Sequence, residues 1–189
     1  MKLAVIGMGL MGGSAALAMK RAGTIHSVYA CDMSPEAISD AISMGIAEEG
    51  GSDPAEAART ADVIMVATPV MTMESIFRQI APVMKPDAVV TDIGSVRGMV
   101  QEGARRALGE KFSQYAPCHP IAGGEKPGVR YAFADMFVGK KIISTAEEGM
   151  SARSVDIIES LWKSCGGQII RMSPERHDEV FALMSHLPH

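Results

Sequence analysis

Apolar positions in the first hundred residues fall into short unbroken runs, separated by stretches in which they recur every three or four positions. The runs are Leu3-Ala4-Val5-Ile6, Val28-Tyr29-Ala30-Cys31, Val63-Ile64-Met65-Val66-Ala67 and Ala88-Val89-Val90. Runs this short, apolar on successive residues, predict strands covered on both faces, as in a parallel sheet. Between them, Ala15 to Met19 carry helix-forming side chains closed by Gly23, Ser34-Pro35-Glu36 caps a helix ending at Gly45, and Asp53-Pro54 opens a short one. A cap serine accepts from the first turn, and a proline at the first helical position gives up no needed N–H. Met73, Ile76, Phe77 and Ile80 predict a further helix before Pro82 and Pro86. Val96, Val100, Ala104 and Leu108 predict another, with Gly109 beyond its end.

Strands alternating with helices define an α/β fold, a doubly wound and mainly parallel sheet of Rossmann type. Ligands of such sheets sit outside the carboxyl ends of the strands. Four turns follow strands at that edge and are expected to line one crevice: Gly7 to Gly12, Asp32, Thr68-Pro69 and Gly94-Ser95. From Gln114 to Gly128 the chain becomes loop-rich, and a long irregular connection inside a compact domain is usually functional. A strand at Lys141 to Ser144, a Ser151-capped helix carrying Val155, Ile158, Leu161 and Trp162, and a strand at Gln168 to Arg171 are expected to close the sheet. Ser173-Pro174-Glu175 caps a last helix, with Val180, Leu183, Met184 and Leu187 as its apolar face. No glycine ends that helix, so residues 1–189 are expected to form one dinucleotide-binding domain, with 174–189 leading into a further domain.

The first strand runs into Gly7-Met8-Gly9-Leu10-Met11-Gly12 and then a helix, the context a dinucleotide-binding turn requires. The first glycine permits the tight turn, the second lets a pyrophosphate approach the backbone, and the third lets helix and strand pack closely. The helix N-terminus supplies free N–H groups and a positive dipole end. Asp32 ends the second apolar run twenty residues past Gly12, where a carboxylate is needed for the adenosine ribose hydroxyls. An anion there repels a 2'-phosphate, so NAD is favoured over NADP. The candidate cofactor-binding set is therefore Gly7, Gly9, Leu10, Met11, Gly12, Asp32, Thr68, Pro69 and Ser95.

A net charge of −4 and the lack of a basic run argue against nucleic acid as a partner. No stretch reaches the ~18 uninterrupted apolar residues of a membrane span, and the head of the chain lacks signal-peptide form, so a cytoplasmic protein is expected. Three scattered cysteines suit neither a disulfide framework nor a zinc site.

Ser95 and His119 are the candidate catalytic pair. A histidine held neutral can take a proton from a hydroxyl as a hydride departs. Each also has an ordinary reading, as a helix cap and as a surface loop residue. Arg97, Lys126 and Arg130 are candidate partners for an anionic substrate, with solvated surface charge as the default. His177 and His186, nine residues apart, fall on opposite helix faces, so a metal site with His189 is not expected.

Five motifs together resemble prephenate and arogenate dehydrogenases of tyrosine biosynthesis: residues 7–14, Asp92-Ile93-Gly94-Ser95-Val96-Arg97, His119-Pro120-Ile121-Ala122-Gly123, Ser173 to Asp178 and Ser185-His186-Leu187-Pro188-His189. The resemblance implies NAD-dependent oxidative decarboxylation of a cyclohexadienyl substrate. In it His119 draws off the ring hydroxyl proton and Ser95 orients that hydroxyl, the histidine and the nicotinamide. His189 reaches the substrate and Glu125 gates the pocket. It further implies a C-terminal helical dimerisation domain, absent here, that makes the homodimer and supplies an arginine for a substrate carboxylate. Gly124 stands where some relatives carry a hydrogen-bonding side chain, which bears on substrate preference. Two other readings stay open: a β-hydroxyacid dehydrogenase, similar only at the glycine motif, and an NAD-binding module without turnover.

Overall fold

The structure is a computed structural model and describes residues 1–186. Its first half alternates strand and helix: β1 (Lys2–Ile6), α1 (Leu10–Arg21), β2 (Ser27–Cys31), α2 (Pro35–Ser43), β3 (Glu49–Gly51), α3 (Pro54–Ala58), β4 (Val63–Val66), α4 (Val70–Ile80), β5 (Val89–Asp92) and α5 (Gly98–Leu108). The five strands form one parallel sheet in the order β3-β2-β1-β4-β5. Successive residues of a strand face opposite sides. Leu3 and Val5 accordingly join a cluster with Ala15 and Met19 of α1, while Ala4 and Ile6 join Phe77 of α4 and Val90 on the other face. Covering on both sides explains why β4 is apolar throughout and β1 is apolar from Leu3 to Ile6.

The caps are those the sequence predicts. Ser34 accepts from Ala37 N–H, and Asp53 accepts from Ala55 N–H. Val96 departs from the expected stripe: it lies before α5 and is exposed.

The second half does not close the main sheet. β6 (Cys118–Pro120), β7 (Lys141–Ser144) and β8 (Gln168–Arg171) form a separate three-stranded sheet. β6 runs antiparallel to β7, and β7 runs parallel to β8. Among the described residues a single bridge between Val90 and Tyr115 carries the pairing across, reinforced by Thr91 Oγ1 donating to the Ala116 carbonyl at 2.6 Å. α6 (Ala152–Ser164) buries Trp162 edge-on against Phe137, and α7 (Pro174–Ser185) ends the described chain.

α7 reverses its expected facing. Leu183 and Met184 are 68% and 54% exposed, whereas Pro174 and His177 are buried. A polar side chain buries without penalty only when its hydrogen bonds are met, and His177 meets both of its own, as described below. Leu187 lies outside the described residues. Among those described, no helix is long and apolar enough to cross a membrane, and all three cysteines are free and buried.

Candidate active site

The strand order reverses between β1 and β4, so the turns after these strands splay apart and leave a cleft. The cleft has a volume of about 810 Å³, and Gly7, Gly9, Asp32, Thr68 and Pro69 line it. Gly7 adopts φ +99°, and a Cβ there would stand 2.7 Å from the Ala67 backbone, so the two turns touch only because it is glycine. Gly12 is held by packing instead: its Cβ would meet the Gly7 carbonyl at 2.6 Å and Val5 at 2.8 Å. Gly9 is different. Nothing in the protein lies within 4 Å of where its Cβ would be. The fold does not require glycine at that point, whereas a phosphate seated against the backbone does.

The first i→i−4 bond of α1 runs from Gly13 N–H to the Gly9 carbonyl at 2.9 Å. The N–H groups of Leu10, Met11 and Gly12 precede it and stand at the positive end of the helix. No side chain caps this terminus. A pyrophosphate fits such a cradle.

Asp32 has a structural duty as well. Its Oδ2 accepts from Met8 N–H at 2.8 Å and its Oδ1 from Ser34 N–H at 2.8 Å. It therefore pins the glycine turn to the start of α2. Each oxygen retains a second lone pair, and with Asp32 lining the cleft these suffice to accept from a ribose diol.

His119 sits in β6, half-buried, and does not line this cleft. The passage after β6 returns to the glycine turn, where a Cβ on Gly124 would lie 3.1 Å from the end of Leu10. The His119 Nδ1 lies 2.8 Å from His177 Nε2, and the His177 Nδ1 lies 2.8 Å from Asp178 Oδ1. Asp178 also accepts from the Arg97 and Gly98 N–H groups, both at 2.9 Å, at the start of α5. Phe181 stacks on the His177 ring at 4.5 Å. α7 is thereby tied to both β6 and α5.

These contacts set the charges. Burial, then the neighbouring His177, hold the His119 imidazole down at about 4, against an ordinary 6.5. Burial likewise lowers His177, opposed by Asp178. Burial pushes the Asp178 carboxyl up, but the two backbone N–H groups and the His177 ring outweigh it and leave it below its ordinary value. At neutral pH the row reads neutral imidazole, neutral imidazole, carboxylate.

Other expected residues are placed less tightly. Ser95 is exposed, lies two residues before Arg97 at the N-cap of α5 and so does not cap that helix, does not line the cleft that Gly94-Ser95 was expected to share, and makes no hydrogen bond to His119. Glu125 is exposed. His189 lies outside the described residues. Arg97 is not a substrate partner: it is fully buried, and its guanidinium grips both oxygens of Asp92 at 2.8 and 2.9 Å and reaches the Gly94 carbonyl. Arg130 is engaged with Asp40 and Glu36, and Lys126 lies over the Tyr131 ring. His177 and Asp178 were not among the expected site residues, although they lie within a motif that carried the resemblance. The signal available was a His-Asp pair four and five positions past a Ser-Pro cap, on the face that Phe181 continues.

Fold and cleft define a dinucleotide-binding α/β domain. The family model described as "Prephenate dehydrogenase, nucleotide-binding domain" matches residues 15–171, and the chain belongs to that family. The chain is 34% identical over 187 residues to a cyclohexadienyl dehydrogenase of Zymomonas mobilis, covering 99% of this chain and 63% of that protein. A crystal structure of prephenate dehydrogenase from Aquifex aeolicus, in complex with hydroxyphenyl propionate and NAD+, superposes with a TM-score of 0.92 at 36% identity, covering 100% of this chain and 65% of the other. Synechocystis arogenate dehydrogenase gives a TM-score of 0.89 at 27% identity, covering 98% and 64%. The chain thus spans less than two thirds of the length of each of these proteins.

Proposed function

We propose that this chain is the NAD-binding portion of a dehydrogenase that oxidatively decarboxylates prephenate or arogenate. The observation that carries the reading is the neutral imidazole of His119, anchored through Nδ1 and standing in the strand whose continuation reaches the glycine turn. Bound NAD would supply the acceptor for a hydride from the ring carbon that bears the hydroxyl. The cleft residues Gly7, Gly9, Asp32, Thr68 and Pro69 hold the dinucleotide, with the Leu10, Met11 and Gly12 N–H groups on its pyrophosphate. His119 takes the hydroxyl proton at Nε2 as the hydride leaves. The C–C bond to the ring carboxylate then breaks, carbon dioxide departs, and the bonding pair completes the aromatic ring. His119 returns its proton to the phenolate oxygen, so the base lends a proton rather than consuming one.

Ser95 and His119 contact the substrate hydroxyl in this reading, and Glu125 and His189 contribute to the substrate pocket. Residues 1–189 form one dinucleotide-binding domain, and the complete enzyme is a cytoplasmic homodimer. The family match and the 34% identity to a cyclohexadienyl dehydrogenase favour this over a β-hydroxyacid dehydrogenase. Titration with NAD and NADP, followed by NADH formation with prephenate and with arogenate at the protein's full natural length, tests it. NAD binding with NADH formed from one of the two substrates is expected. NAD binding without NADH from either leaves the non-catalytic module as the better account.

A further inference from the structure

The geometry points to His177 and Asp178 as a positioning pair that decides which nitrogen of His119 is free to take a proton, an inference that rests on the proposed function. The steps follow from donor and acceptor chemistry. A carboxylate can only accept. Asp178 Oδ1 lies 2.8 Å from His177 Nδ1, so that nitrogen carries the hydrogen. A neutral imidazole has one N–H, which leaves His177 Nε2 bare and able only to accept. His119 Nδ1, 2.8 Å away, must then be the donor. Its own Nε2 is left bare, and that is the base.

The opposite arrangement would put a hydrogen on His119 Nε2 and remove the base. It would need His177 either charged or turned over. Charge is opposed by burial, since His177 has 0% of its surface exposed. Rotation is opposed by Phe181, stacked on the ring with 25° between planes. Asp178 is itself fixed, because its two oxygens accept from the Arg97 and Gly98 backbone, and a Cβ on Gly98 would come within 3.1 Å of it. The other charged groups acting on the pair are Arg97, at the start of α5, and Asp92, at the end of β5. When His119 takes a proton, the partly exposed Asp178 carboxylate stabilises the new charge through the intervening His177, the orienting and stabilising part an acid plays behind a catalytic histidine.

The test compares His177→Leu, which fills the site but cannot accept, with His177→Gln, whose carboxamide oxygen can accept from Nδ1. Nitrogen-15 spectra of histidine-labelled protein report the hydrogen on each ring nitrogen without any turnover. The wild type should show His119 hydrogen-bearing at Nδ1 and bare at Nε2 at neutral pH, and His177→Leu should show both tautomers. In the full-length enzyme, His177→Leu should lower kcat by roughly tenfold, the scale of one lost orienting hydrogen bond, with NAD affinity unchanged. His177→Gln should recover most of that. A wild-type His119 protonated at Nε2, or a tautomer identical in His177→Leu, overturns the inference. The predicted tautomer in a protein that forms NADH from neither substrate upholds the positioning and overturns the function.

Discussion

Gly9→Ala separates what the fold needs from what a dinucleotide needs. Gly9 has φ −104° and ψ −157°, an extended conformation open to any residue, and its missing Cβ faces open space. It is the N-cap of α1, where alanine is somewhat worse than glycine, so folding should lose only about 0.5–1 kcal/mol. A methyl group there occupies the room through which a pyrophosphate reaches the first turn of α1. Displacing one charge-assisted hydrogen bond costs about 1.5–3 kcal/mol, which corresponds to roughly 10- to 150-fold weaker binding. Gly7→Ala is the contrast: with φ +99° and a Cβ 2.7 Å from the Ala67 backbone, it should lose about 1–3 kcal/mol of stability or more. Calorimetric titration with NAD, paired with urea unfolding of each variant, measures both. Unchanged NAD affinity in Gly9→Ala, or a greater loss of stability there than in Gly7→Ala, would refute the reasoning.

Further predictions concern charge. Asp32→Ala should narrow the preference for NAD over NADP by about tenfold or more, on the order of one charge-assisted hydrogen bond, as read from the two dissociation constants; a ratio that stays put makes Asp32 purely a pin for Met8 and Ser34. Arg97→Ala leaves the buried Asp92 carboxylate without its counter-charge, held only by the Gly94 N–H and the Tyr115 hydroxyl, and should cost about 3–5 kcal/mol in urea unfolding, so a loss below about 1 kcal/mol would show that those two hydrogen bonds suffice. In the proposed reaction His119 takes a proton and must start neutral, so the acid limb of kcat/KM in the full-length enzyme should fall near pH 4, the value its burial sets, and not near 6.5. Stability should move the same way: the unfolded chain binds more protons between about pH 4 and 6.5, so this imidazole makes the fold less stable as pH falls through that window. His119→Asn should lower kcat by about 10² to 10⁴ with NAD affinity intact, and an unaltered rate would remove His119 from the chemistry.

The parallel core was legible because burial on both faces writes itself as unbroken apolar runs, and the caps were legible because Ser34, Asp53, Ser151 and Ser173 each satisfy a first-turn N–H. β3 was not. Its Glu49-Gly50-Gly51 resembles a turn, yet a Cβ on Gly50 would strike both the Ala30 carbonyl and Ile38 at 2.6 Å, so an edge strand packed under α2 has to be glycine. β6 was hidden by its length and its proline, and the split into two sheets depends on long-range pairing that no local pattern encodes. That Gly7, Gly9, Asp32, Thr68 and Pro69 share one cleft was legible because the glycine spacing has a steric cause, whereas Gly94-Ser95, expected there too, does not line it. The His177–Asp178 pair did not, because hydropathy predicts that α7 buries Leu183 and Met184, while hydrogen bonding to His119 and to the start of α5 turns the other face inward. Arg97 misled for the same reason: its charge suggested a ligand, and its ligand is Asp92.

A crystal structure of the protein with NAD bound tests the central claim most directly. The pyrophosphate should rest on the N–H groups of Leu10, Met11 and Gly12, the adenosine ribose on Asp32, and the nicotinamide against the Nε2 side of His119. A nicotinamide ring turned away from His119, or a dinucleotide bound outside the cleft between β1 and β4, would contradict it.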